Sequence, residues 1–515
     1  MKLVEFPTKF QRMPGVMPIW HGAVDAAIFR SLCVEVANSG GKLVALWGTD
    51  DRAMNSSYAV HVALVTSLGL LSLSLVVSGD NPQYPDISDI FPGASRMQRA
   101  LYDMLGVNAL DADDQRKWLR HASWPADIHP LRKDFDGKQV FATEADRYEF
   151  VTVTGDGVHE IPVGPVHAGT IEPGHFRFSI IGERVLRLEQ RLGYTHKGVE
   201  KLFESMSIEQ GAKLAGRISG DSTVAYAWAY AQAAESVTQT PPPPRAQWLR
   251  ALFLELERLH NHLGDLGYLG NDVALAFGFA QFWILKEDAL RLNQALFGHR
   301  YMMDCVVPGG VARDLTREGM QQIHQVAARL KEEIKRLKDI YDEHAGAQDR
   351  FLTTGRVSPD LAAQLGLTGL PGRASAQAWD ARAQFPCTPY DQLDVAMATH
   401  GNGDVAARVA VRFEETFESL RLICLIADKM PQGELRVDLP IAPESTLGIG
   451  WVEGWRGEVL IALHTGKDGS IHRLHPHDPS WQNWPLLEHA IIGNIVPDFP
   501  LINKSFNLSY SGQDL

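Results

Sequence analysis

Residues 164–222 constrain this chain more than any other stretch. They contain GPVHAGTIEPGHFRF (164–178), RLGYTHKGVEKLFE (191–204) and RISGDS (217–222). A packed core alone does not call for so many histidines, glycines and arginines in close succession. The alternation over HFRFSI (175–180) predicts a strand, and Pro173-Gly174 just before it supplies a turn. The local expectation is a hairpin that carries His167 and His175 at its ends and tip.

Size and composition bound the rest. At 515 residues the chain is too long for one ordinary core, so two or three domains are expected. A hydrophobic content of 45% and a charged content of 22% are those of a globular protein. A formal net charge of −13, without any basic tract, argues against nucleic acid as a partner. Cys33, Cys305, Cys387 and Cys424 are isolated from one another. They offer neither a disulfide framework nor a metal knuckle, so no iron–sulfur cluster is expected within the chain. Residues 1–12 have no apolar centre, and no signal peptide is expected. Residues 59–77 are apolar and long enough to span a membrane. However, Leu71-Ser72-Leu73-Ser74-Leu75 alternates and Ser67-Leu68-Gly69 interrupts the run. Two half-buried strands joined by a turn are therefore expected, with no transmembrane segment.

In chain order, KLVALW (42–47) and the two runs just described supply strands, and RMQRALYDML (96–105) supplies a helix. Residues 141–163 read as a strand-rich linker. Pro241–Pro244 form a stiff segment that ends in a helix start. The helix that follows carries Leu249, Leu252, Phe253, Leu256, Leu259 and Leu263 on a core-facing stripe. Glu255, Arg258 and His262 share another of its faces; on pattern alone they form a surface ion pair with a capping histidine. His260 and His262 point apart and cannot chelate together. A Pro-Gly-Gly turn at 308–310 precedes a long bundle helix, and residues 403–423 predict another. HRLHPH (472–477) has ligand-like spacing, but no carboxylate or cysteine sits at a matching distance, so a solvated loop is expected.

These motifs resemble the large subunit of membrane-bound, energy-converting [NiFe] hydrogenases and its homologue, the quinone-site subunit of respiratory complex I. DISDIFPGASRMQRALYDMLGV (86–107) and HPLRKDF (129–135) are similar to the small accessory subunit of complex I, fused ahead of the large one in many bacteria. Pro-Gly-Gly-Val, Gly403, Asp404, Arg408, Arg412, Glu415, Ser419 and Arg456-Gly457-Glu458 fit the same pattern in order. The resemblance implies an α+β chain with an accessory domain at 1–140, small and sandwich-like, and a mainly helical domain at 141–515 with β elements at its two ends. In the hydrogenases, Arg-x-Cys-Gly-x-Cys and a C-terminal Cys-x-x-Cys hold nickel and iron. Ser219 and Ser222 stand at the first pair, and SYSGQDL (509–515) where the second is expected. Serine hydroxyls are hard, weak ligands for nickel, so no nickel–iron centre is expected.

The resemblance further implies a quinone-like site at His167, His175, Gly220 and Asp272, with His175, Asp272, Arg217 and His262 handling protons. Gly220 falls where the complex I subunit has a tyrosine. The expected function is electron transfer to a quinone-like acceptor coupled to proton movement, with complex I's association with NAD in the background. A non-catalytic coupling subunit is the alternative, and a hydrogenase large subunit a further one. Implied partners are a small iron–sulfur subunit, which carries the clusters, and antiporter-like membrane subunits. The implied location is cytoplasmic and peripheral on the inner face of the cell membrane. A redox subunit should have a cavity flanked by His175, Arg217 and Asp272.

Overall fold

The computed structural model describes residues 10–145, 147–168 and 171–515. In the N-terminal region, β1 (Gln11–Arg12), β2 (Ile19–Val24), β3 (Lys42–Asp50), β4 (Ser57–Thr66) and β5 (Gly69–Ser78) form one sheet in the order β1-β2-β5-β4-β3. β2 runs parallel to β5, and the other pairs are antiparallel. The apolar run at 59–77 is thus two strands of this sheet. Gly69 opens the second with φ of +125°, a conformation that favours glycine. Helices Ala26–Asn38 and Ala94–Leu105 cover one face of the sheet. Trp47, Ala45, Ala63 and Leu70 on the other face pack against Ile449, Trp451, Leu460 and Ala462 from the far end of the chain. Burial on both faces explains why these strands read as near-continuous apolar runs. A short parallel pair, β6 (Gln83–Pro85) and β7 (Asn108–Leu110), follows.

Of the linker expected to be strand-rich, only β8 (Val158–Val163) is a strand; described residues before it are irregular. They are held from the side instead, where Glu189 accepts the backbone N–H of Val151 at 2.8 Å. β8 pairs with β9 (His175–Ile181), which pairs with β10 (Arg184–Arg191), all antiparallel. His175 is therefore the first residue of β9, and His167 lies in the loop that leads to it.

The helical region centres on Thr223–Thr238 and Pro244–Asp272. Pro244 sits in the first turn of the second helix, as the proline run requires. Ala276–Phe297 and Val405–Lys429 pack on Pro244–Asp272, Arg317–Glu343 packs on those two, and the small β11 (Val306–Val307) and β12 (Gly310–Val311) hairpin lies beside the central pair. Thr316 and Asp404 cap their helices by accepting the N–H groups of Gly319 and Ala407. The chain then forms a three-stranded antiparallel sheet, β13 (Leu447–Glu453), β14 (Glu458–Thr465) and β15 (Ile471–His477). β13 lies directly on Thr223–Thr238. A Cβ at Gly448 or Gly450 would collide with the carbonyls of Ala233 and Ala229. Three short helices, Ser480–Ala490, Phe499–Phe506 and Tyr510–Asp514, carry the chain back toward residue 219.

HRLHPH is not a solvated loop. It is strand β15, and His475, Pro476 and His477 are buried. β15 is an edge strand paired only with β14, where a proline costs no ladder hydrogen bond. Among the described residues, no helix is long and apolar enough to cross a membrane.

Candidate functional site

The turn at residues 219–222 precedes the central helix, and the last short helix brings Ser509 to it. The hydroxyls of Ser219 and Ser509 lie 3.0 Å apart, although 290 residues separate them in sequence. Ser219 also donates to Asp221 at 2.8 Å. The β13–β14 turn adds two side chains. Arg456 pairs with Asp221 through two bonds of 2.6 and 2.9 Å, and the Trp455 indole donates to Ser222 Oγ at 3.1 Å and to the Asp221 carbonyl at 3.0 Å. Behind them Tyr226 donates to Asp478 at 2.7 Å. Burial pushes the Asp221 carboxyl up, but Arg456 and the Ser219 hydroxyl outweigh it and hold the group at about 2. For Asp478 burial wins over Arg456 and the carboxyl titrates above its ordinary value. Glu257 accepts the N–H groups of Val224 and Ala225 at 2.7 and 3.2 Å, capping the central helix, and burial lifts its pKa to about 8.

This constellation does not fit a nickel–iron centre. Each serine hydroxyl is already engaged, Ser509 by the backbone N–H of Gly512 and Ser222 by Trp455. The Arg456 guanidinium is fixed on Asp221, and among the described residues no cysteine joins this cluster. Among the described residues, no group of three or more His, Cys, Asp or Glu side chains is placed to hold a metal ion. The signal for this convergence was split between the middle of the chain and its C-terminal part.

A chain of polar groups leads away from the centre. Arg456 Nε donates to the carbonyl of Asn507 at 2.6 Å, and Asn507 Nδ2 donates to Asp265 at 2.6 Å. Asp265 also receives Arg412 at 3.0 Å and has Lys504 at 4.0 Å. Burial lowers the pKa of Lys504, and Asp265 and Asp272 oppose that shift. Burial raises Asp272, with Asn271, Lys504 and Arg350 acting against it.

A second cluster surrounds Glu255, Arg258 and His262, which are fully buried rather than a surface pair. Their partners come from elements far away in sequence. Glu255 receives Arg382, Tyr390 and Ser419 at 2.7–2.8 Å, and His262 Nε2 lies 2.8 Å from Glu415. Arg258 donates to the carbonyls of Glu453 and Gly454, and Arg373 bridges Glu415 and Glu453. Burial lowers the pKa of His262, and the bond to Glu415 opposes that shift. His260 instead bonds the Leu256 carbonyl, as the two-residue spacing predicts.

Formate hydrogenlyase subunit 5 of Escherichia coli K12 is 33% identical over 483 residues, covering 92% of this chain and 85% of that protein. The chain belongs to the hydrogenase and complex I large-subunit family. Hydrogenase-4 component G of the same organism is 31% identical and covers 92% of this chain and 84% of its own length. The NADH-quinone oxidoreductase C/D polypeptide of Phocaeicola vulgatus is 29% identical, over 77% of this chain and 80% of that protein. Family models for the respiratory-chain NADH dehydrogenase 30 Kd and 49 Kd subunits match residues 7–140 and 272–447. A chain in the structure of the membrane-bound sulfane sulfur reductase, an archaeal respiratory membrane complex, aligns with TM-score 0.66 and 25% identity. It covers 71% of this chain and 100% of its own.

Within this large-subunit frame each expected site residue has its own partners. His175 donates from Nδ1 to the Gly164 carbonyl at 3.3 Å and accepts from Arg177 Nε at 3.4 Å. It lines an open cavity of about 400 Å³ with Tyr148, Phe150, Arg177, Arg191 and Tyr194, and neither Arg217 nor Asp272 is among the lining residues. The expected cavity flanked by all three is thus not the one at His175. Arg217 turns outward to an exposed pair with Asp304 at 2.7 Å. His167 donates to the Gly174 carbonyl at 2.8 Å, and the space beside Gly220 is open. Asp272 sits at the end of its helix among Asn271 and the charges of Lys504 and Arg350.

Sequence reasoning also missed a column of rings between the N-terminal and C-terminal sheets. His464 lies 4.8 Å from His61, which stacks on Trp47 at 5.1 Å, and Trp47 stacks on His475 at 5.4 Å. His477 and Trp481 continue the column at 6.3 and 6.4 Å. The packing that would reveal it joins residues about 400 positions apart, and HRLHPH by itself gives no sign of it.

Proposed function

We propose that this chain is the large subunit of a membrane-associated redox complex in which the metal centre has become a proton-handling polar cluster. In this reading it couples electron transfer, from a cluster-bearing partner to a quinone-like acceptor, to proton movement. The observation that carries it is the convergence of Ser219, Ser222 and Ser509 on the Asp221–Arg456 pair. From there the polar groups continue through Asn507 and Asp265 to Lys504, on which the charge of Asp272 acts without a direct bond. Carboxyls raised by burial, as at Asp478 and Asp272, and an amine lowered by it, as at Lys504, bring proton affinities closer to neutral pH. His175 is the candidate for the acceptor's head group, with Tyr194 and Arg177 beside it.

A small iron–sulfur subunit and antiporter-like membrane subunits are the partners this reading requires. The test uses the assembled complex in sealed vesicles, with electron transfer and proton movement measured together. Asp272→Asn should leave assembly and electron transfer in place while lowering the protons moved per electron. Unchanged coupling in that variant would refute the relay.

A second reading, a coupling scaffold without chemistry of its own, is favoured by Trp455, which is buried within the former metal site and bonded to its turn. It predicts that Asp221→Asn and Asp272→Asn both leave electron transfer and coupling unaltered.

A further inference from the structure

A cavity of about 260 Å³ lies between the N-terminal loop and the central helix, and it uses none of the residues of the emptied centre. Its apolar lining comes from Val16, Met17, Ile19, Trp228 and Ile449, with Gln232 among the polar groups. Met17, Trp228 and Gln232 also line a smaller, inner chamber of about 20 Å³, whose walls include Trp451 on β13.

Two features define what this space can hold. The first is charge. Glu235 and Arg250 both line the outer chamber, but they pair with each other at 2.5 and 3.1 Å. Glu235 also accepts the Gly309 N–H, and Arg250 donates to the carbonyls of Val307 and Gly310. Both groups are satisfied, and Arg382 and Glu453, which line the inner chamber, are paired with Glu255 and Asp380 and with Arg373, so the cavity offers no unpaired charge to a ligand. The second feature is an unmet donor. Trp451 is fully buried, and its indole N–H has no hydrogen-bond partner among the described residues. A buried donor left unpaired costs about 1–3 kcal/mol, which an acceptor oxygen at the inner end would relieve. The neighbouring Gln232 amide oxygen is already occupied by the Trp451 backbone N–H at 2.8 Å.

Size sets the rest. An apolar cavity of about 150 Å³ holds benzene, and a single oxygen or water needs roughly 10–15 Å³. The outer chamber therefore suits a ring system of roughly ten non-hydrogen atoms, and the inner one a single oxygen. We propose that this two-chamber cavity binds an uncharged, ring-bearing carbonyl compound, its ring against Trp228 and its oxygen accepting from the Trp451 indole N–H.

The test titrates the full-length chain with 1-indanone and with indane, the same rings without the oxygen. Ligand-observed NMR and the shift in thermal unfolding follow binding. 1-Indanone should bind at one site, and indane about tenfold more weakly, the loss expected for one hydrogen bond. Val16→Trp, on the cavity rim where Val16 is 37% exposed, should fill the outer chamber and abolish binding with the unfolding midpoint of the free chain unchanged. Trp451→Phe should make the two probes bind alike. Equal affinities in the unaltered chain overturn the proposal, as does binding that survives Val16→Trp. Absence of 1-indanone binding up to its solubility limit overturns it as well.

Discussion

Arg373→Met probes the buried charge cluster most directly, because the change removes a guanidinium at similar side-chain length. Arg373 is fully buried; it donates to Glu415 at 2.7 Å, to Glu453 at 3.0 Å and to the Trp379 carbonyl at 3.0 Å, with Asp380 at 3.7 Å. Removing one member of a buried ion cluster costs about 3–5 kcal/mol, since the remaining charges stay desolvated. Glu415 keeps His262 and Glu453 keeps the Ala381 N–H, which places the expected loss toward the lower end, about 3 kcal/mol. The loss should also depend on pH with a definite sign. Burial pushes Glu415 up, but Arg373 and His262 outweigh it and hold the carboxyl well below its ordinary value. Its contribution to stability is therefore present above the ordinary carboxyl pKa and fades as pH falls. Without Arg373, burial prevails and the carboxyl penalises folding most at neutral pH. Urea unfolding of the full-length chain at pH 7 and pH 5 measures both effects. Arg373→Met should be destabilised more at pH 7 than at pH 5, and adding Glu415→Gln should recover part of the loss. A cost below about 1 kcal/mol, or one equal at the two pH values, would refute the view that Arg373 compensates buried carboxylates.

Three further outcomes are expected. Gly512→Ala should destabilise by about 1–3 kcal/mol in thermal unfolding, because its Cβ would fall on the Asp478 side chain, 2.6 Å from Cγ; a neutral effect would mean that the last helix shifts freely. Elemental analysis of the purified complex should find no stoichiometric nickel in this subunit, and one nickel per chain would overturn the argument from the serine donor set. Burial lowers His61 and His477 to about 3, so each should cost stability as pH falls below the ordinary histidine value, by about 1.4 kcal/mol per pH unit. His61→Phe should flatten the acid side of the stability profile, and an unchanged slope would mean that the ring column takes up protons without strain.

The long helices were legible because their signals are local. Pro244 and the Leu249–Leu263 stripe lie within the helix they define, and Asp404 lies one residue before its own. The strands at 57–78 were legible for the same reason, through alternation and the Ser67-Leu68-Gly69 break. What stayed hidden depends on partners far away in the chain. Glu255, Arg258 and His262 look like a solvated helix face until Arg382, Tyr390 and Glu415 arrive to satisfy them. HRLHPH looks like a loop until β14 pairs with it. Each half of the emptied centre was visible as a lost cysteine pair, but the Ser219–Ser509 contact and the Trp455 filling arise only from closure of the chain.

The ring column has a mechanical consequence. Its members come from β3 and β4 near one end of the sequence and from β14, β15 and the Ser480–Ala490 helix near the other, so the two regions share one buried seam. Residues 136–140 between them are exposed and carry a tryptic site at Lys138. A nick there would cut the backbone without parting the pieces, and the nicked protein should still melt in a single cooperative step. Shared burial of these rings ties unfolding of the N-terminal sheet to that of the C-terminal one.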